Sequence, residues 1–328
     1  MTDRQATVRL EDKTCREMNW KYGVPQGSKL GPLLYILTTN YLPTQMKDVN
    51  MFIYADDIAV IIANDTMRQA SLEMKSTIRK LQVLTHDLGL VINHKKTKIM
   101  NIKNRGPIDK RTKFTFHEHD CLHKPLLGDE QCKCDKQIET VEEHKYLGLT
   151  IDSRFTWDTH INNVCKKIRS GGAAIMKLKN YIPVKVLKTV YHALIESVIN
   201  YGIQSWKRHD SQQHKRLQNL QNKIIKSLLS NKKNRKYKTI EDKFKSLGIL
   251  NITNLFKYKT IVMNYFNYKN RINQKYYNTR NNKSIIPLTF NKYGDRKNDT
   301  IITKIFNDMP EDLKNLNKIS VKKRIKNG

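Results

Sequence analysis

The sequence predicts an α+β fold, strands packed with helices first and helices alone afterwards, on three observations. Two short apolar runs, Met51-Phe52-Ile53-Tyr54 and Ile58-Ala59-Val60-Ile61-Ile62, flank Ala55-Asp56-Asp57 and read as a hairpin. Between Thr66 and Leu88, apolar residues at Met67, Ala70, Met74, Ile78, Leu81, Leu84 and Leu88 recur at three and four, an amphipathic helix closed by Gly89. After Trp157 the pattern is helical alone, over about 158–180, 183–206 (begun by Pro183) and 211–230.

The remaining elements follow in order. Gly23-Val24-Pro25-Gln26-Gly27-Ser28 is a turn, and Leu30 to Leu37 a buried helix opened by Pro32, whose fixed φ and missing N–H suit a first helical turn. The basic turn His94-Lys95-Lys96 leads into a strand at 97–102. Residues 103–137 are polar, an inserted loop or small hairpin, and Lys145 to Asp152 returns to strand. Beyond 230 the chain is rich in Lys, Asn and Tyr with weaker periodicity, ending in a short terminal helix pair at Phe306 to Lys326.

Charge narrows the function. The 328 residues carry 61 Lys+Arg against 30 Asp+Glu, a formal net charge of +31, best offset by a polyanion. The excess is concentrated late: residues 1–206 hold 31 basic and 22 acidic side chains, residues 207–328 hold 30 and 8. Lys, Asn, Ile and Tyr share AT-rich codons, so base composition is an alternative origin, but uncompensated charge attracts phosphate whatever its origin. No stretch approaches the ~18 apolar residues of a membrane span, and the first residues lack the apolar run of a signal peptide. An intracellular protein of nucleus or cytoplasm, without a membrane partner, is expected. Five cysteines, an odd number in a long chain, argue against a disulfide framework and for thiols that are reduced or bind metal.

Two adjacent aspartates at the tip of an apolar hairpin repel each other and are harder to ionise in apolar surroundings. A divalent cation resolves both problems. Alternation along a strand would aim Asp56 at a metal and leave Asp57 beside it, and hard carboxylate oxygens suit Mg²⁺, which takes substrate phosphates as further ligands.

Tyr54-Ala55-Asp56-Asp57, together with Gly23-Val24-Pro25-Gln26-Gly27-Ser28-Lys29-Leu30-Gly31-Pro32-Leu33-Leu34 upstream, resembles the palm of a reverse transcriptase of the non-LTR retrotransposon type, close to the insect jockey-like elements. Weaker similarity continues through Gly89 to Asn93 with Lys96-Thr97, and Tyr146-Leu147-Gly148 with Asp152. It extends to Trp157 to Ile161, Tyr201-Gly202-Ile203 with Trp206, and Phe306 to Pro310. The resemblance implies RNA-templated DNA synthesis by two-metal nucleotidyl transfer with Mg²⁺ or Mn²⁺. Its partners would be an RNA template, a DNA primer and deoxynucleoside triphosphates. It implies that Asp56 and Asp57 are catalytic metal ligands. Pro25, Gln26, Gly27 and Tyr54 would shape the template and nucleotide pocket, Tyr146, Leu147 and Gly148 would form the primer-grip strand, and the helices after Trp157 a thumb holding the duplex. Lys96 would neutralise or protonate departing pyrophosphate, although an ordinary basic turn explains it equally.

By the same resemblance 1–152 is a partial palm, 153–230 a helical thumb and 231–328 a basic carboxy-terminal region. The family's first catalytic aspartate lies upstream of the Pro-Gln-Gly motif, and Asp3, Glu11 and Asp12 are not in its place. The chain is therefore expected to be a truncated enzyme, inactive or very weak alone. The alternatives are a non-catalytic nucleic-acid-binding remnant of a mobile element and, third, a group II intron maturase.

Two further patterns stay open. His117, His119, Cys121, His123, Cys132 and Cys134 bring thiols and imidazoles close together, so that Cys121, Cys132, Cys134 and one His could hold Zn²⁺; a polar surface hairpin with free thiols explains them too. Aromatics interleaved with bases from Tyr237 to Tyr277 suit base stacking, or amphipathic helices with solvated lysines. Lys232 to Lys236 and Lys322-Lys323-Arg324 could serve as nuclear address signals.

Overall fold

The computed structural model describes residues 4–20, 23, 27–103, 112–116, 136–207, 212–229, 239–272 and 298–310. They fall in two compact units, Met1–His144 and Lys145–Gly328. The architecture is the expected α+β: strands with helices first, helices alone after residue 152.

In the first unit, β1 (Arg4–Ala6) pairs antiparallel with β4 (Met18–Trp20), and β2 (Arg9–Leu10) with β3 (Lys13–Thr14). The α1 helix (Gly31–Thr39) has Pro32 in its first turn as the sequence predicts, but it is not the buried helix expected, since Leu33, Ile36 and Leu37 are each more than half exposed. The Ser28 hydroxyl accepts the Gly31 amide at 2.9 Å, partnering an amide otherwise orphaned at the helix start. After α2 (Tyr41–Gln45), which buries Leu42 fully, β5 (Asn50–Tyr54) and β6 (Asp57–Ile61) form the predicted hairpin. Thr66 caps α3 (Met67–Asp87) by accepting the Gln69 amide, and Gly89 at φ +70° ends it.

The inner face of α3 lies over a three-stranded sheet in the order β7 (Lys98–Ile99), β9 (Lys136–Thr140), β8 (Phe114–Phe116). Ile78, Ile99, Phe114, Phe116 and Ile138 make its core. The strand expected over 97–102 shrinks to two residues, because its parallel ladder with β9 covers only Lys98 and Ile99 before the Val141 amide closes on the Ile99 carbonyl. The polar stretch after it enters and leaves through an antiparallel pair, β8 with β9.

A hairpin of β10 (Glu143–Tyr146) and β11 (Leu149–Asp152) carries the chain into the second unit. Its helices are α4 (Asp158–Leu178), α5 (Val184–Tyr191), α6 (Ser197–Asn200), α7 (Ile203–Trp206), α8 (Gln212–Leu228), α9 (Ile240–Leu247), α10 (Ile252–Ile272) and α11 (Asn298–Asn307). Ile161, Ile168 and Ile175 recur every seven residues along α4, all fully buried, where each side chain is worth about 1.5–3 kcal/mol relative to exposure. They share a core with Tyr191, Trp206, Leu217 and Ile225.

The single helix expected over 183–206 is interrupted twice. A π turn, His192–Glu196, joins α5 to α6 where Gly171 of α4 comes so close that a β-carbon would stand 3.2 Å from Leu194 Cβ. The chain then breaks at Tyr201, extended, and Gly202, left-handed at φ +61°. Phe244, Phe256 and Tyr258 are buried, so these tail aromatics belong to the core.

Candidate functional site

The β5–β6 register runs from Asn50 opposite Ile61 to Tyr54 opposite Asp57, leaving Ala55 and Asp56 as a two-residue turn. Ala55 sits at φ +52°, a region L residues enter rarely. The two aspartates therefore differ in kind: Asp56 is in the turn, and Asp57 is the first ladder residue of β6. Directly paired residues share a face, so Asp57 lies with Tyr54, Phe52 and Ala59 rather than alternating with Asp56 along one strand. Both carboxylates are exposed, and Tyr54 and Phe52 are 66% and 55% exposed beside them. Burial, and then the Asp56 carboxylate, push the Tyr35 phenol above its ordinary value; the α1 residue Tyr35 therefore stands near the turn, a neighbour that no sequence pattern indicated.

Asp56 and Asp57 offer hard oxygens of the type Mg²⁺ accepts. Among the described residues, however, no third His, Cys, Asp or Glu joins them into a metal-holding group. Two carboxylates alone do not make the bridged two-ion site of phosphoryl transfer.

Of the other expected site residues, Gly27 is described, at φ +80° in the turn before α1. Pro25 and Gln26 lie outside the described residues, as do Cys121, Cys132 and Cys134. Lys96 is exposed in a turn that Asn93 organises by accepting the Lys96 amide through its carbonyl and its side-chain oxygen. Neither a hydrogen bond nor an ion pair joins Lys96 to either aspartate.

Tyr146, Leu147 and Gly148 form the tip of the β10–β11 hairpin, with Leu147 at φ +45° and Gly148 at φ +80°. Two positive φ values in a row give the turn a twist that matches its strands. Gly148 supplies one freely, but Leu147 does not. The structure brings this tip to Tyr201, which donates its hydroxyl to the Leu147 carbonyl across 54 residues of chain. Trp206 anchors Tyr201 in turn, its indole N–H donating to the Tyr201 carbonyl at 3.0 Å. Gly202 fits only as glycine: a β-carbon there would meet Leu149 Cδ2 at 2.7 Å.

A second feature of this unit is a cationic face. The α4 and α8 helices pack together and carry eight Lys and Arg against one Asp. Arg216 Nη1 donates to Asn162 Oδ1 at 3.4 Å, and Gly172 meets Ile224, which sets the two helices side by side in register. Lys166 and Arg169 lie four and seven residues after Asn162, and Lys223 seven after Arg216, so the four cations border one seam. Burial raises the Cys165 thiol while the Arg169 and Arg216 guanidiniums pull it down, which places both guanidiniums near that buried sulfur. All four side chains belong to exposed residues, and none makes an ion pair among the described residues.

Asp152 and His160 hold the hairpin to α4. The Asp152 carboxylate accepts the Arg154, Thr156 and Trp157 amides at 3.0, 3.0 and 2.7 Å, besides the Thr156 hydroxyl. Burial works to raise this carboxyl, but those donors together outweigh it and hold it below the ordinary range. His160, 6% exposed, accepts the Thr150 amide on Nδ1 and rests between Trp157 and Trp206. Its Nε2 has no partner among the described residues. Burial, and then Lys167, lower its pKa below the usual 6.5 or so.

The folded state thus prefers neutral His160 while the unfolded chain takes up a proton near pH ~6.5, so its contribution is full above that value and is lost as pH falls. A urea midpoint that drops between pH 7.5 and pH 5.5, and drops less in His160→Gln, is the expected result. A midpoint equally pH-dependent in both chains would exclude this role.

Residues 4–151 match the family model described as reverse transcriptase (RNA-dependent DNA polymerase). The chain is 25% identical over 240 residues to the probable RNA-directed DNA polymerase from transposon BS of Drosophila melanogaster, covering 70% of this chain and 24% of that protein. It is 26% identical over 192 residues to the RNA-directed DNA polymerase from mobile element jockey of the same organism, covering 56% and 19%. Against the retrovirus-related Pol polyprotein from type-1 retrotransposable element R1 of Nasonia vitripennis it is 21% identical over 207 residues, covering 62% and 57%. The chain spans a quarter or less of the two Drosophila relatives. No solved structure matches it.

Proposed function

We infer that this chain, homologous over part of its length to RNA-directed DNA polymerases of non-LTR retrotransposons, is the part of such an enzyme that holds the primer on its RNA template. Residues 1–152 act as palm, 153–230 as thumb and 231–328 as a basic carboxy-terminal region. The carrying observation is the β5–β6 hairpin, which presents two exposed carboxylates at a turn inside the segment matched by the reverse transcriptase family.

Each part has a role. Asp56 and Asp57 face the primer end, with Tyr54 on the same face as Asp57 to pack against nucleotide. Gly27, with Pro25 and Gln26, shapes the pocket for template and incoming deoxynucleotide. Tyr146, Leu147 and Gly148 receive the primer strand, and the cations of α4 and α8 take the duplex backbone. Lys96, on its exposed turn, is placed to neutralise a phosphate. In the reverse transcriptase reaction the primer 3′-hydroxyl displaces pyrophosphate from a deoxynucleoside triphosphate, and a divalent ion such as Mg²⁺ or Mn²⁺ would supply charge neutralisation there. The two carboxylates of this chain are part of the donor set that reaction needs.

The chain alone is therefore a grip rather than a complete catalyst. Primer extension on poly(rA)/oligo(dT) with Mg²⁺ or Mn²⁺ tests this. Incorporation at background, with primer–template binding that survives Asp56→Ala and Asp57→Ala, is the expected result. Incorporation that disappears in Asp56→Ala would show a competent polymerase and overturn it.

A further inference from the structure

We propose that Tyr201 is a positioning residue: by holding the Leu147 carbonyl, its hydroxyl keeps the Tyr146–Leu149 turn in the shape that receives the primer end. The proposal rests on reading that turn as the primer-holding one.

Three observations carry it. Leu147 is held at φ +45°, where a bulky L residue is an outlier, and such outliers persist only when their surroundings fix them. The fixing contact in the structure is the Tyr201 hydroxyl on the Leu147 carbonyl. The Tyr201 ring also lies over Gly148, so that a β-carbon there would stand 3.1 Å from Cε1, which makes the ring and the turn one fitted surface.

The holder is itself rigid. Tyr201 ends α6 in an extended conformation, its carbonyl is tied by the Trp206 indole, and Trp206 is 1% exposed. Gly202, close against Leu149, adds a second contact to the same hairpin. Yet Tyr201 is 56% exposed. A tyrosine needed only for core packing would be covered; this one stands at the surface, tied at both ends, beside a turn whose Gly148 is solvent-accessible as well.

The test uses the full chain and two labelled probes matched in phosphate number: an RNA template with a recessed DNA primer 3′ end, and a blunt RNA–DNA duplex. Fluorescence anisotropy gives the ratio of the two Kd values, which general loss of stability does not move; thermal melts accompany each variant. The wild-type chain is expected to prefer the recessed end, and Tyr201→Phe to reduce that preference roughly fivefold, the size of one neutral hydrogen bond. In a Leu147→Gly background, where glycine enters the left-handed region freely, Tyr201→Phe is expected to change the preference by less than about twofold. That background also keeps the test decisive where Tyr201→Phe alone folds poorly. A wild-type preference that Tyr201→Phe leaves intact, or lowers equally in both backgrounds, would overturn the role of Tyr201 and leave the primer-holding turn standing. A wild-type chain without preference would overturn the primer-holding turn itself, and the proposal with it.

Discussion

Gln221→Leu is expected to lower the stability of the second unit by about 3 kcal/mol. Gln221 is fully buried, and its amide is bonded through both its nitrogen and its oxygen. Nε2 donates to the Tyr191 hydroxyl at 2.8 Å and to the Leu250 carbonyl at 3.0 Å, while Oε1 accepts from Gln218 Nε2 at 2.9 Å. Gln218 then accepts the Ile252 amide at 3.0 Å, so a single chain of amides joins α8 to α5 and to the start of α10. Leucine fills the space but leaves the Tyr191 hydroxyl, the Leu250 carbonyl and the Gln218 amide each short of a partner, at about 1–3 kcal/mol per stranded group before relaxation. A fall in Tm of roughly 6–12 °C follows for a unit of this size. Because the groups share one network, Tyr191→Phe combined with Gln221→Leu should cost less than the two separate losses together. Strict additivity in urea unfolding would contradict a shared network.

Removing the cations along the α4–α8 seam is expected to have the largest effect on binding. In Lys166→Gln, Arg169→Gln, Arg216→Gln and Lys223→Gln combined, the slope of log Kd against log salt should fall by roughly 3.6, near 0.9 for each phosphate no longer neutralised. Affinity at low salt should weaken by at least an order of magnitude, with little sequence dependence, because phosphate contacts position without reading bases. Glutamine keeps much of the aliphatic stems that cover the helices, so Tm is expected to hold within a few degrees. An unchanged slope in the four-residue variant would move the duplex elsewhere on the protein.

The elements that sequence placed well are those whose local chemistry agrees with their final packing. The α3 stripe and its Gly89 stop lie close together in sequence, and the structure has both. The β5–β6 hairpin was legible for the same reason, since alternation and a short polar tip specify it locally. What sequence missed depends on neighbours far along the chain. Nothing between 183 and 206 announces a π turn; the glycine whose missing β-carbon leaves room for Leu194 there, Gly171, lies on another helix. The strand reading of 145–152 gave no sign that Leu147 would turn left-handed, since the residue that holds it there is Tyr201. Strand alternation likewise set Asp56 and Asp57 on opposite faces, whereas the two-residue turn takes Asp56 out of the ladder. The overall charge of +31 pointed to a polyanion but not to a surface; only the packing of α4 on α8 lines up Lys166, Arg169, Arg216 and Lys223.

The grip on nucleic acid is tested most directly by titrating the full chain into a labelled RNA-template, DNA-primer duplex at several salt concentrations. A chain that holds the duplex backbone through its cationic helices should bind with an affinity that falls at least about tenfold between roughly 50 and 200 mM salt, as neutralisation of several phosphates requires. It should bind equally well after Asp56→Ala. No measurable binding at low salt, or an affinity that salt leaves unchanged, would contradict it.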